Sequence, residues 1–176
     1  MTASDYPLVL TLSLDEETTK FFNQLRQRHF PAEHNHLKAH LTLFHQLPGA
    51  EAARIIVGLE EVSQRYRPLK LAVSEVRLLG RGVAYRLEST LLQQLHRQLQ
   101  KQWRAYLTPQ DQQKLWPHVT VQNKVTPDEA KRLHTQLSEG FKPFEAVGTG
   151  LHLWEYHGGP WESKQEFAFG RGSSTP

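Results

Sequence analysis

The sequence of 176 residues contains no cysteine. This absence excludes disulfides, thiolate nucleophiles, iron–sulfur clusters and every zinc site that needs a thiolate ligand. No run of apolar residues approaches the roughly 18 to 20 needed to cross a bilayer. The opening residues, MTASD, contain neither a basic segment nor an apolar run, so we expect no signal peptide and a cytosolic, cytoplasmic protein without membrane contact.

The composition is that of a folded globular chain, with 38% apolar and 22% charged residues. The net charge is only +3, but residues 65–104 hold nine basic side chains against two acidic ones. If these basic side chains share one face, they would attract phosphate or nucleic acid. If they are scattered over strand and helix surfaces, they serve solubility alone.

The hydrophobic pattern alternates between strand and helix periods. Residues 7–14 alternate apolar and polar side chains, which predicts a half-buried strand, and Asp15 is placed to cap the helix that follows. Each half of the chain repeats strand, helix, histidine-containing strand, helix and further strands. This repeat predicts an α+β fold with two pseudo-symmetric lobes of mixed, largely antiparallel sheet, with helices outside and a central cleft. We expect residues 1–170 to form this single two-lobed domain and residues 171–176 to be a disordered tail.

Two short segments share the pattern histidine, any residue, threonine, aliphatic residue. They are His40 to Leu43 (HLTL) and His118 to Val121 (HVTV), and their histidines are 78 residues apart. In a strand, residues two apart point to the same face, about 7 Å from each other. Two such strands facing one groove would present two imidazoles and two hydroxyls to the same small space. The pair is far more specific than a single motif.

This set of side chains suits a phosphodiester. Imidazole has an ordinary pKa near 6.5, so around neutral pH one ring can accept a proton from the attacking oxygen while the other donates one to the leaving oxygen. Threonine hydroxyls can donate hydrogen bonds to the non-bridging phosphoryl oxygens, where negative charge accumulates. The scheme requires no metal and no cofactor.

The two motifs resemble those of the 2H phosphoesterase superfamily, which includes 2'-5' RNA ligase-like proteins and cyclic nucleotide phosphodiesterases. The resemblance covers roughly residues 6–170. It implies that His40 and His118 are the catalytic acid and base, in either order, and that Thr42 and Thr120 bind phosphate. It also implies a substrate with a 2',3'-cyclic phosphate or a 2'-5' linkage, in RNA or a nucleotide. The resemblance leaves open the natural substrate and the choice between hydrolysis and ligation.

Other residues are candidates for substrate contact. A base could stack on one of four aromatic side chains, Tyr85, Trp116, Trp154 or Trp161. Arg81 is a candidate phosphate contact. We expect the partner to be RNA or a nucleotide, and the absence of a leftover apolar stripe favours a monomer.

Two alternatives remain open at this point. The chain could be an RNA- or nucleotide-binding module that uses the same cleft without turnover, in which case changing His40 removes no activity. It could instead be a metallohydrolase that uses the histidines of residues 34–45, in which case chelation abolishes activity. The spacing of these histidines matches no zinc motif, which favours a solvated loop at the rim of the cleft.

Overall fold

Seven strands and four α-helices make up residues 5–170, the part of the chain that the computed structural model describes. The strands are β1 (Leu8–Leu14), β2 (Leu41–Leu47), β3 (Leu69–Leu78), β4 (Val83–Glu88), β5 (His118–Gln122), β6 (Phe144–Tyr156) and β7 (Trp161–Ala168). The helices are α1 (Glu16–His29), α2 (Ala52–Arg65), α3 (Thr90–Gln102) and α4 (Pro127–Ser138). The tail predicted for residues 171–176 lies outside the described residues.

Side-chain caps start three of the helices at the positions where the chain leaves a strand or loop. The carboxylate of Asp15 accepts a hydrogen bond from the Thr18 amide at 3.2 Å, which confirms the predicted cap of α1. Ser89 caps α3 and Thr126 caps α4 in the same way, each through its hydroxyl oxygen. These caps fix where each helix begins and therefore how it crosses the sheet.

The strands form one sheet in the order β2-β1-β6-β3-β4-β5, and β7 pairs with the last part of β6. Every pairing among the described strands is antiparallel, so the expected parallel component of a mixed sheet is absent from this part of the chain. The two motif-bearing strands, β2 and β5, lie at opposite ends of this order. The sheet curls so that its two ends approach each other across a concave face.

The hydrophobic core lies between the sheet and the helices. Leu8, Leu10 and Phe22 are completely buried there, and Phe44 of β2 packs edge-on against Trp103 after α3. The opposite, concave face of the sheet carries the polar side chains of the motif strands. Within the described residues, no helix is both long enough and apolar enough to cross a membrane.

Candidate active site

The two motifs stand at the beginnings of β2 and β5. Their aliphatic residues are buried in the core, namely Leu41, Leu43, Val119 and Val121. The intervening His40, Thr42, His118 and Thr120 are half-buried on the other face. The predicted alternation is therefore present in both strands, and it directs two imidazoles and two hydroxyls to the concave face. We call the space between these four side chains the cleft.

Both motif histidines are held by the same local hydrogen bond. Nδ1 of His40 lies 2.8 Å from the carbonyl oxygen of Lys38, and Nδ1 of His118 lies 2.7 Å from that of Trp116. Because a carbonyl oxygen can only accept, each Nδ1 carries the hydrogen and donates it. In the neutral ring Nε2 is then a free proton acceptor. Within residues 5–170, neither Nε2 has a protein partner.

Desolvation and nearby positive charge lower the pKa of both motif histidines. Burial, the largest cause, and the charges of Arg26, His118 and His45 together lower the pKa of His40 to about 4, against the opposing hydrogen bond to Lys38. Burial also lowers the pKa of His118, with a contribution from His45. Both rings are therefore neutral in the free protein at pH 7.

The hydroxyls of Thr42 and Thr120 are available to a ligand. Among the described residues, neither hydroxyl makes a hydrogen bond to another protein group. Thr42 stands opposite Thr11 of β1, whose own hydroxyl accepts a hydrogen bond from the Trp154 indole at 3.0 Å. The Thr11 side chain is thus already engaged, whereas the two motif threonines can donate to an anion in the cleft.

Each motif histidine lies against a tryptophan. The Trp116 ring stacks on His118 with 4.2 Å between centroids, and the Trp161 ring lies 4.7 Å from His40 at a tilt of 59°. A cavity of about 330 Å³ beside His40 is lined by Trp154 and Trp161, and one of about 370 Å³ is lined by Trp116. Space for a flat group therefore exists next to His40 and next to Trp116.

A buried arginine, which the sequence reading missed, links the second motif strand to the loop that precedes the first. Arg26, in the last turn of α1, is 4% exposed. Its guanidinium donates to the Thr120 carbonyl at 2.9 Å and to the Asn35 side chain at 3.2 Å. Burial lowers its pKa to about 10, so it remains a cation at neutral pH. Arg26 follows the buried Phe22 by one helical turn, whereas the other arginine of α1, Arg28, is exposed.

The sequence reading also missed the contact between His45 and Asp111. Asp111 lies in the loop before β5 and is 2% exposed, yet its carboxylate is 3.1 Å from Nδ1 of His45. From sequence, His45 groups with the possible metal ligands of residues 34–45, and no pattern singles out Asp111. The two residues are 66 apart, so no local spacing could have paired them.

Tyr85 is not a stacking surface for a base. Its ring is 3% exposed and packs against Phe21, Phe22 and Phe141 in the core. Burial raises the pKa of its phenol to about 12. The expectation of substrate contact is replaced by a core role, because Tyr85 belongs to the inward-facing set of β4.

Arg81 is also away from the cleft. It lies in the turn between β3 and β4, where its Nε donates to the Val125 carbonyl at 3.0 Å. The register of β4 and β5 puts Arg86 opposite His118, and Arg81 beyond the other end of β5, about 13 Å along the strand. Arg86 is therefore the arginine beside a motif histidine, although it is paired with acidic side chains, Glu75 and Glu88.

The histidine-rich segment does not gather metal ligands. Within residues 5–170, the one group of three whose possible ligand atoms lie within 4.8 Å of each other is Glu155, His157 and Glu162, near the β6–β7 turn. Lys164 already pairs with Glu155 at 2.7 Å. Neither motif histidine belongs to this group.

Comparison with known proteins finds one matching family model and several solved structures with the same fold. A family model described as the 2'-5' RNA ligase superfamily matches residues 14–160. No curated protein matches the chain. Solved structures with the same fold include TT0787 of Thermus thermophilus, at 15% identity and a TM-score of 0.65, which covers 94% of this chain and 99% of that one. Escherichia coli LigT complexed with NADP+ has 20% identity and a TM-score of 0.57, with coverage of 94% and 99%. The complex of LigT with 3'-AMP has 18% identity and a TM-score of 0.55, with coverage of 96% and 100%.

Proposed function

The chain belongs to the 2'-5' RNA ligase superfamily, and we propose that it hydrolyses a 2',3'-cyclic phosphate or a 2'-5' phosphodiester of RNA or a nucleotide. The observation that carries this proposal is the matched pair of imidazoles. Each donates its Nδ1 hydrogen to a backbone carbonyl two residues earlier, and each leaves Nε2 free beside an unengaged threonine hydroxyl. Two equivalent proton-transfer groups and two neutral donors fit a reaction at one phosphorus atom.

The low pKa values explain how one imidazole becomes the acid and the other remains the base. In the free protein at pH 7, both rings are neutral. A phosphate between them brings negative charge, which favours protonation of one ring. Because the two rings are close enough for their charges to interact, the second ring stays neutral. The pair then titrates as a unit that holds one proton.

Hydrolysis of a cyclic phosphate balances with these two groups alone. The neutral imidazole accepts a proton from water as the oxygen of that water forms a bond to phosphorus. One ester bond of the ring breaks, and its oxygen takes the proton of the imidazolium. The hydroxyls of Thr42 and Thr120 donate to the non-bridging oxygens, where charge increases in the transition state. In the ligation direction, a ribose hydroxyl takes the place of water.

The cavities beside the histidines support a nucleotide as the group that carries the phosphate. Trp161 and Trp154 line the space next to His40, and aromatic rings stack on bases of any sequence. The Escherichia coli neighbours were solved with NADP+, 3'-AMP and ATP. A base on one or both sides of the cleft is consistent with a terminal cyclic nucleotide or with an internal 2'-5' linkage.

The test is a substrate panel followed by ³¹P NMR. It contains the four 2',3'-cyclic nucleoside monophosphates and a 2'-5'-linked dinucleotide, each with and without EDTA. We expect cleavage of at least one class at equal rates in both buffers, and the product isomer identifies the bond that breaks. Activity that disappears in EDTA would contradict the two-histidine scheme. Binding without turnover would instead favour the binding module.

A further inference from the structure

Strand β2 contains a bulge that redirects its second half. Thr11 of β1 pairs with Thr42, and Leu10 pairs with Phe44, so Leu43 is an extra residue in β2. Leu43 and Phe44 are consequently both buried. His45 and Gln46 are both exposed, and a second register shift lies between the pairs Leu10–Phe44 and Leu8–Leu47. The buried His96 stabilises the bulge, since it donates from Nε2 to the Leu43 carbonyl at 3.0 Å and stacks on the Phe44 ring.

The bulge puts His45 on the side of the strand that carries His40 and Thr42. Without the extra residue, position 45 would share the buried face of Leu41 and Leu43. The electrostatics agree with this placement, because the charge of His45 lowers the pKa of both His40 and His118. His45 is therefore a third imidazole at the cleft, roughly 7 to 10 Å beyond Thr42 along the strand.

Asp111 fixes the orientation of the His45 ring. Its carboxylate accepts hydrogen bonds from the backbone amides of His45, at 2.9 and 3.0 Å, and of Gln46, at 2.9 Å. It also accepts from Nδ1 of His45 at 3.1 Å. Burial alone would raise the pKa of Asp111, but these hydrogen bonds hold it below its usual value. The carboxylate is therefore ionised, and it directs Nδ1 inward.

The opposite ring nitrogen is free. The His45 side chain is 44% exposed, and within residues 5–170 its Nε2 has no hydrogen-bond partner. Capping the edge of β2 requires only the two backbone amide bonds to Asp111. The additional bond to Nδ1 holds the ring in one orientation, which a ligand-binding side chain needs and an edge cap does not. In the imidazolium form, Nδ1 donates to Asp111 and Nε2 can donate to a second anion.

Resting on the function proposed above, we propose that His45 binds a second phosphate of the substrate, on the nucleotide whose cyclic phosphate lies between His40 and His118. His45 lies beyond Thr42 on the side of the strand away from His40, so we assign it to a phosphate other than the one between His40 and His118. The ionisable groups around the ring are Asp111, His40, His118 and His96, of which Asp111 is the only acid. The substrate class is therefore a nucleotide with a 5'-phosphate group or an RNA end, in preference to a simple cyclic mononucleotide.

The test compares three substrates that share one reacting group. They are adenosine 2',3'-cyclic phosphate, the same compound with a 5'-phosphate, and the dinucleotide ApA with a 2',3'-cyclic end. We expect the wild-type kcat/KM to be at least about tenfold higher for the two substrates with a second phosphate, the size expected for a charge-assisted hydrogen bond. A preference for the dinucleotide alone would assign the site to the RNA backbone, and a preference for both would assign it to any 5'-phosphate.

The variant His45→Asn tests the residue itself. The asparagine amide can still donate to Asp111, but nothing replaces Nε2. We expect the preference to fall to less than threefold, through a higher KM for the two-phosphate substrates. The matched control is His34→Asn, which retains the wild-type preference, because His34 is exposed and lines neither the cavity beside His40 nor the one beside Trp116. A wild type without preference, or an unchanged preference in His45→Asn, would overturn the proposal.

Binding of product analogues separates this proposal from the proposed function. Calorimetry with adenosine 2'-monophosphate and adenosine 2',5'-bisphosphate measures the same preference without requiring turnover. Tighter binding of the bisphosphate that His45→Asn loses supports the second phosphate site even if no substrate is cleaved. Equal Kd values for the two analogues in the wild type contradict the site, whatever the activity.

Discussion

Replacing His40 by asparagine removes a titrating ring while keeping an N–H group near the position of Nδ1. The pKa of His40 falls from an ordinary value near 6.5 to about 4 in the folded protein. One pKa unit corresponds to about 1.4 kcal/mol, so protonating the folded state costs about 3 kcal/mol more than protonating the unfolded chain. Because the unfolded state binds the proton first, wild-type stability falls as the pH drops from 6.5 to 4.

The asparagine variant lacks this loss. We therefore expect the free energy of unfolding of His40→Asn, relative to wild type, to rise by about 2.5 kcal/mol between pH 7.5 and pH 4.5. Urea denaturation followed by tryptophan fluorescence measures it, and Trp161 lies close enough to His40 to report on the cleft. Thr42→Val is the control, because it changes a residue on the same face of β2 without adding or removing a titrating group. Its stability should show the pH dependence of the wild type.

The quantity that tests this prediction is the difference in free energy of unfolding between His40→Asn and wild type at each pH. A difference between His40→Asn and wild type that stays constant within about 0.5 kcal/mol over this pH range would mean that His40 titrates normally. The description of His40 as a desolvated side chain next to the positive charge of Arg26 would then be wrong. A stability that rises toward low pH in the wild type would reverse the sign of the argument and contradict it more strongly.

Three further predictions concern catalysis and the loop before β5. The maximum of kcat/KM should lie below pH 6.5, because the pKa of each cleft imidazole is lowered in the free protein and the acid must be protonated. A maximum above pH 7.5 in initial-rate measurements would contradict this. Thr42→Val and Thr120→Val should each lower kcat by about 10 to 1,000-fold, since each removes one donor to the phosphoryl oxygens; wild-type kcat in both would exclude this role. Asp111→Asn should destabilise the protein by about 2 to 4 kcal/mol in urea denaturation, since an amide cannot accept all the hydrogen bonds of the buried carboxylate, and an unchanged midpoint would contradict the arrangement.

The fold and the motif positions follow from local patterns in the chain. Strict alternation around His40 and His118 fixes which side chains share a face, and Asp15 signals where α1 begins. The order of the strands in the sheet does not follow from local patterns, because it depends on long connections between strands that are distant in sequence. β6 lies between β1 and β3 although it is the last but one strand in the sequence, and no local pattern predicts this position.

Long-range contacts explain what the sequence reading missed around the cleft. Arg26 reaches Thr120 across 94 residues, and Asp111 reaches His45 across 66. Such contacts depend on the curl of the sheet and on the bulge in β2. The bulge itself could have been suspected, since the adjacent apolar residues Leu43 and Phe44 interrupt the alternation that begins at Leu41. The expectation that Tyr85 contacts substrate is wrong for a local reason, because its phase with the apolar residues of β4 already favours the core.

In the proposed mechanism, His40 and His118 together perform the proton transfers at one phosphorus atom. The most direct measurement is single-turnover cleavage of an RNA ending in a 2',3'-cyclic phosphate by wild type, His40→Ala and His118→Ala, with binding of the uncleaved RNA measured in parallel. We expect each variant to lose at least about a hundredfold in cleavage rate and still to bind the RNA. A variant that cleaves at the wild-type rate would contradict the two-histidine mechanism.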